Sequence, residues 1–328
     1  MVTRSSSLDG NSFPSSVVSG ILSLVTSLVI VASDAHAEST VNATGTNHDG
    51  MEFIERFQAG SLSKLDLILL VSLGVLAMEA VNFLSYTLGA LLKFDPIPVR
   101  GKHLDELSTT DKVFIAISKL QTGPFVYFML RYALSEPNLL WMPHQLSLTT
   151  VLLPLPVLFL VFDFFYTSLH WALHIKAIYG FIHKHHHTQK APSRANEDAI
   201  NVHPIEYVLG EYNHLWSLFL CCTVFQMQIH ALTILLFLSV GGILAGWNHT
   251  RYDIVISLLG YTLYDSKAHD VHHRIPQSNY GQYTMFWDHV FGTYRDYDPN
   301  DRVNPRAQLD PKTGKSLEYM ATAAPKHD

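Results

Sequence analysis

Three groups of histidines are set apart by their spacing. His170 and His174, in "DFFYTSLHWALH", stand four residues apart. His183, His186 and His187, in "FIHKHHH", and His269, His272 and His273, in "KAHDVHH", both repeat offsets of three and four. On a helix those offsets share one face. Each group would then aim its rings in one direction, and eight imidazoles beside one surface read as a metal cage. Eight nitrogens exceed what one ion takes, so the count argues for two ions. His249, leaving an apolar segment between the second and third groups, is a candidate ninth ligand. His203 is a weaker tenth, because Pro204 beside it marks a turn with a structural purpose. His185, two residues from His183, turns away from the ligand face and is expected to support it or face solvent. A lone HxxxH is more often a surface pair, but two HxxHH groups and an HxxxH in one apolar chain form a constellation. His36, His48, His103, His144, His214, His230, His289 and His327 fit no such spacing and are read as bystanders.

The chemistry follows from the donor type. Zinc takes about four ligands, and zinc hydrolases usually add a carboxylate base, which none of the three groups contains. Iron suits imidazole, and two irons could pass two electrons into O2 and oxidise an unactivated C–H bond, although imidazole also accepts zinc, copper and nickel. Asp163 lies two helical turns before His170 and is expected to accept the ring N–H of a ligating histidine. A carboxylate inside an apolar span is costly unless it is used. Asp270, inside the third group, and Glu206, after His203-Pro204, are candidates for the same part.

The elements that must position these rings are apolar. Of 328 residues 48% are hydrophobic and only 15% charged, which indicates a membrane protein; the net charge of −6 offers no basic stripe for nucleic acid. The two cysteines, Cys221 and Cys222, are adjacent in an apolar run and give neither a disulfide framework nor a thiolate site. The spacing of apolar runs predicts an all-α, polytopic transmembrane bundle with a cytoplasmic, histidine-rich helical cap, and no strand of any length. Spans are expected over 65–92, 112–134 and 146–169, then a second pair over 205–228 and 229–247. Lys93, Arg100 and Lys102 after the first span put that end in the cytoplasm by the positive-inside bias. Both histidine-rich regions then emerge there with Lys176, Lys184, Lys190, Arg194, Lys267 and Arg274.

Residues 1–37 read as a signal peptide, with Ala35-His36-Ala37 as its cleavage site, or as an uncleaved anchor. A lumenal segment follows over 38–64, carrying the sequon Asn42-Ala43-Thr44, and the membrane domain over 65–298. The sequon at Asn248 would be cytoplasmic and is discounted. Residues 299–328 read as a polar tail.

The motifs resemble a known family. "HWALH", "HKHHH", "HP" at His203-Pro204, "NHTRYD" around His249, "HDVHH" and "SNYGQYTMFWDHVFGTYRDYDP" are similar to the fatty acid hydroxylase superfamily of integral-membrane di-iron enzymes. The resemblance runs from about Asp163 to Pro299. It implies a helical bundle whose cytoplasmic cap holds two iron ions through the eight box histidines and His249, with O2 as co-substrate. It also implies oxidation of C–H bonds in a lipid. "NYGQYT", "WD" and "FGTYRD" look like sterol C5-desaturases, "HTRYD" like sterol C4-methyl oxidases, and fatty acyl or sphingoid base hydroxylation is the alternative. His185 departs from the Val or Thr common before the paired histidines.

With no dinucleotide-binding fingerprint or haem domain in the sequence, a separate donor such as cytochrome b5 or ferredoxin is expected on the basic face. The expected location is the endoplasmic reticulum membrane, with a plastid membrane as the alternative. A metal carrier using the same histidines without redox work is the competing reading from another class.

Overall fold

The computed structural model describes residues 55–57, 60–99 and 103–298, all within a compact unit bounded by Asn47 and Asp328. The N-terminal signal or anchor, the Asn42 sequon, Arg100, Lys102 and the polar tail lie outside the described residues.

Helix α1 (Lys64–Leu92) starts where Ser63 and Asp66 cap each other, and α2 (Thr109–Ser135) starts on the same device made by Ser108 and Asp111. The two pack antiparallel, and their backbones approach at small residues: a Cβ on Gly123 would clash with Val71. Apart from Leu70, the buried residues of α1 are polar or small (Asp66, Gly74, Ser85, Gly89), while Leu65, Ile68 and Leu76 point outward. That inversion of a soluble helix suits a lipid solvent. A π turn, Leu148–Leu152, leads into α3 (Pro154–Leu173), and α5 (Ala231–Asn248) is hydrophobic around most of its circumference. The four helical stretches Lys64–Leu92, Thr109–Ser135, Leu148–Leu173 and Ala231–Asn248 are long and apolar enough to cross a membrane.

The segment expected as a further span, 205–228, folds as α4 (Pro204–Phe219) continued by a π turn, Leu220–Val224. It is not among the four long apolar helices, because its inward face carries Glu206, Asn213, His214 and Ser217. It still runs the length of the bundle. At its far end the Asn138 amide donates to the Cys222 carbonyl at 3.0 Å, and Leu139–Leu140 pairs with Ile229–His230. Cys221 and Cys222 are both buried there.

The expectation of no strand is corrected by a hairpin, β1 (Val255–Leu258) and β2 (Tyr261–Asp265), which turns through Leu259 and Gly260 at positive φ. After β2, α6 (Ser266–Arg274) is capped by the Asp265 side chain, and a loop leads to α7 (Phe286–Phe291). All three histidine groups and His249 lie at one end of the bundle, where α1, α3 and α5 finish and α2 and α4 begin.

Candidate metal centre

Four elements deliver the nine histidines. The last turn of α3 carries His170, and His174 is its C-cap. His249 caps the C-terminus of α5, and α6 presents His269, His272 and His273. The second group is not on the helix expected for it. His183 lies in consecutive turns, and His186 and His187 open a 3-10 turn, His186–Thr188. The helical offset survives because the His183 N–H donates to the Tyr179 carbonyl at 3.2 Å.

These rings converge as two adjacent clusters. His170, His174, His183, His187 and His272 form one; His186, His249, His269 and His273 form the other; within each, one nitrogen per ring lies within 4.8 Å of all the rest. The ring nitrogens that face inward are set by what the opposite nitrogens do. A carbonyl can only accept, so Nδ1 carries the proton wherever it meets one. Nδ1–H of His170 donates to Tyr280 O at 2.8 Å, that of His272 to Ser278 O at 2.7 Å, that of His273 to Gln189 O at 2.9 Å and that of His249 to Ala245 O at 2.9 Å. His183 Nδ1–H donates to the Glu206 carboxylate at 2.6 Å.

In those five rings Nε2 is a bare lone pair, and it points inward. His249 Nε2 and His273 Nε2 approach Nε2 of His269, a ring whose tautomer no Nδ1 partner fixes, at 3.2 and 3.1 Å, and His170 Nε2 sits 3.0 Å from His183 Nε2, both of them bare. Two lone pairs at hydrogen-bond distance repel unless a cation lies between them. Burial, reinforced by the neighbouring imidazoles, holds His183, His186, His187, His269, His272 and His273 well below the usual histidine range, so they are neutral donors at physiological pH. An all-imidazole donor set fits iron, as it fits zinc or copper.

Of the groups expected to hold the ligating rings, Glu206 does so. Asp163 does not touch His170: its carboxylate accepts the N–H groups of Tyr283 at 3.0 Å and Thr284 at 2.6 Å. Seven residues along a helix are about 10.5 Å of rise, too far for a shared ring. Asp163 instead pins the loop whose Tyr280 carbonyl holds His170. Asp270 likewise meets no ring; it pairs with Arg251 at 2.7 Å and Arg274 at 3.1 Å. The reason is geometric, since an i+1 neighbour of His269 leaves the helix on a different side.

His203 is not drawn into the centre. Its Nδ1 accepts the Ile205 N–H and caps α4. His185 faces away, contacting Asp111 at 3.0 Å and Asn201 at 2.9 Å. Asp288, in the "WD" motif, has a role that the sequence did not assign. It accepts Tyr280 N–H, Gly281 N–H and the Thr293 hydroxyl, and so closes the other side of the loop. On the expected basic face, Arg194 pairs with Asp198, Lys267 with Asp253 and Arg274 with Asp270. Much of that charge is spent internally.

Beneath the cage a cavity of 290 Å3 opens between α1, α2, α3, α4 and α5. Apolar side chains such as Ala77, Met78, Val126, Leu169, Leu173 and Leu238 make most of its wall, and it reaches His170 and Glu206. An apolar chamber ending at a ring of neutral nitrogens can hold a water-insoluble ligand against a metal.

Comparison with known proteins agrees with the residues just described. Residues 155–293 match the fatty acid hydroxylase family. Delta(7)-sterol-C5(6)-desaturase of Nicotiana tabacum is 30% identical over 130 residues, covering 39% of this chain and 44% of the relative. Methylsterol monooxygenase 1 of Rattus norvegicus is 33% identical over 134 residues, 40% of this chain and 43% of the relative. Cholesterol 25-hydroxylase-like protein 1, member 2, of Danio rerio is 29% identical over 143 residues, 42% and 49% respectively. The chain spans less than half the length of each of these relatives. No solved structure matches.

Proposed function

Because the chain belongs to the fatty acid hydroxylase superfamily, whose matched members include sterol desaturases and a methylsterol monooxygenase, we propose that it is a di-iron, O2-dependent oxidoreductase acting on C–H bonds of a membrane lipid. The observation that carries this reading is the set of inward lone pairs in two clusters of five and four histidines. His170, His174, His183, His187 and His272 would hold one iron, and His186, His249, His269 and His273 the other. Two irons bound there supply the electron transfer and oxygen activation that an unactivated C–H bond needs.

The chain's own residues do the positioning. Backbone carbonyls of Tyr280, Ser278, Gln189 and Ala245 fix the tautomer of four rings, and Glu206 orients a fifth and makes it more basic. Asp163 and Asp288 hold the loop that carries two of those carbonyls. The chamber walls exclude water from the place where the lipid meets His170. A sterol is the substrate class that the matched relatives favour, in a C5-desaturase-like or C4-methyl oxidase-like reaction, with fatty acyl or sphingoid base hydroxylation as the alternative. Electrons come from a separate carrier such as cytochrome b5 or ferredoxin, and the cage faces the cytoplasm from the endoplasmic reticulum membrane.

Elemental analysis of detergent-purified protein, produced with iron and zinc both available, tests the reading. Two irons per chain, with lipid-dependent O2 consumption on addition of reductant, are expected. Zinc alone, with no O2 consumption after anaerobic iron reconstitution, overturns it.

A further inference from the structure

The mostly apolar wall of the cavity carries, among its polar residues, a set that neither the cage nor its supports use. Glu211 and His214 on α4 and Tyr283 on the 280–284 loop all line it, one to two helical turns deeper than Glu206. Five residues separate Glu206 from Glu211, about 7.5 Å of helix. The hydrogen bonds among them run in one direction. His214 Nδ1–H donates to the Glu211 backbone carbonyl at 3.0 Å, so Nε2 accepts, and it receives the Tyr283 hydroxyl proton at 2.8 Å. His214 Nδ1 stands 3.6 Å from the Glu211 carboxyl, beyond hydrogen-bond reach. The oxygen of Gln282, also on the cavity wall, is buried without a partner.

Three oxygens therefore face the chamber with their acceptor capacity unspent: the Glu211 carboxyl, the Tyr283 phenol and the Gln282 amide. The His214 ring packs against Phe162, Phe125 and Phe237, and a carboxyl lining the same apolar chamber is expensive to keep unless something meets it. The site is also built to stay where it is. Tyr283 stacks on Phe162 at 4.7 Å, its own N–H is held by Asp163, and its ring is admitted because α5 has glycine opposite: a Cβ on Gly241 would meet the phenol oxygen at 2.9 Å.

We propose that Glu211, His214 and Tyr283 form a binding site for the hydroxyl group of a lipid alcohol, which enters the cavity with its hydroxyl seated there and its hydrocarbon reaching toward the cage. A hydroxyl supplies the donor that three acceptors lack, and the phenol–imidazole pair can rotate to return a hydrogen bond. It is neutral, so it crosses the apolar chamber without the desolvation cost of an ammonium group. The inference rests on the proposed function for what happens at the cage end; the binding at the deep end stands on its own residues.

The test uses the full iron-loaded chain in detergent micelles and equilibrium binding, which does not depend on turnover. The probes are 5α-cholestan-3β-ol and octadecan-1-ol, the methyl ether of each, and octadecylamine. At least one alcohol is expected to bind about tenfold or more tighter than its own ether, the worth of one hydrogen bond to a charged or strongly polar acceptor. Glu211→Leu and Tyr283→Phe should each erase that preference while iron per chain is unchanged. Tyr283→Phe keeps the stack on Phe162, so it carries the test if Glu211→Leu fails to fold. Equal binding of alcohol and ether by the wild-type chain, a preference surviving both substitutions, or tighter binding of the amine overturns the assignment. An alcohol preference in two-iron protein that oxidises none of the probes supports this site and counts against the proposed function alone.

Discussion

The two histidine clusters are built from the same side chain and lie ring against ring, with His187 and His273 centroids 5.0 Å apart, yet their surroundings differ. The five-histidine cluster draws on α3, the turn segment and α6, includes the half-buried His174, and opens onto the cavity through His170. The four-histidine cluster is buried on every member, and none of its rings lines the chamber. Five donors on one side leave a ligand to spare; four on the other do not. On the di-iron reading, the difference teaches that the two metal positions would be unequal: the first the reacting side, and the second a sealed partner.

That contrast is open to breakage, and the largest effect is expected in the sealed cluster. His269→Ala removes one of four donors and should take iron from two to about one per chain, with turnover lost; His174→Ala should keep two irons and part of the activity. Equal metal loss in both variants, read by elemental analysis, would erase the distinction. Glu206→Gln weakens only the cavity side, through His183. A fall of about 10- to 100-fold in iron affinity or turnover is expected, with the iron of the four-histidine cluster retained. Asp163→Ala leaves the Tyr283 and Thr284 N–H groups buried without their acceptor, at a cost of about 1–3 kcal/mol. It should appear as a lower Tm and reduced turnover with both irons still bound. The smallest effect belongs to His203→Ala, which removes a helix cap worth about 1 kcal/mol and should leave iron content untouched.

The parts legible in sequence were those that local spacing dictates. Apolar run length located four of the five expected spans, and the three- and four-residue offsets selected eight of the nine rings that converge. Asp163 and Asp270 show where that logic stops. Both were placed by proximity along the chain, whereas four of the five acceptors that hold the rings are backbone carbonyls, and the one on His170 comes from a loop 110 residues further on. A carbonyl is present at every residue and so leaves no mark in a sequence. His214 looked like a bystander for a related reason. Its partner Tyr283 is 69 residues away, and only the fold brings the two together.

The inward lone pairs carry one more consequence. Buried nitrogens that repel each other when bare and attract a shared cation would make a metal bound there a structural member of this end of the bundle, its binding free energy being also folding free energy. On the di-iron reading, a cell short of iron would not accumulate idle enzyme. It would lose the polypeptide itself to quality control, and the amount of protein in the membrane would track the iron supply.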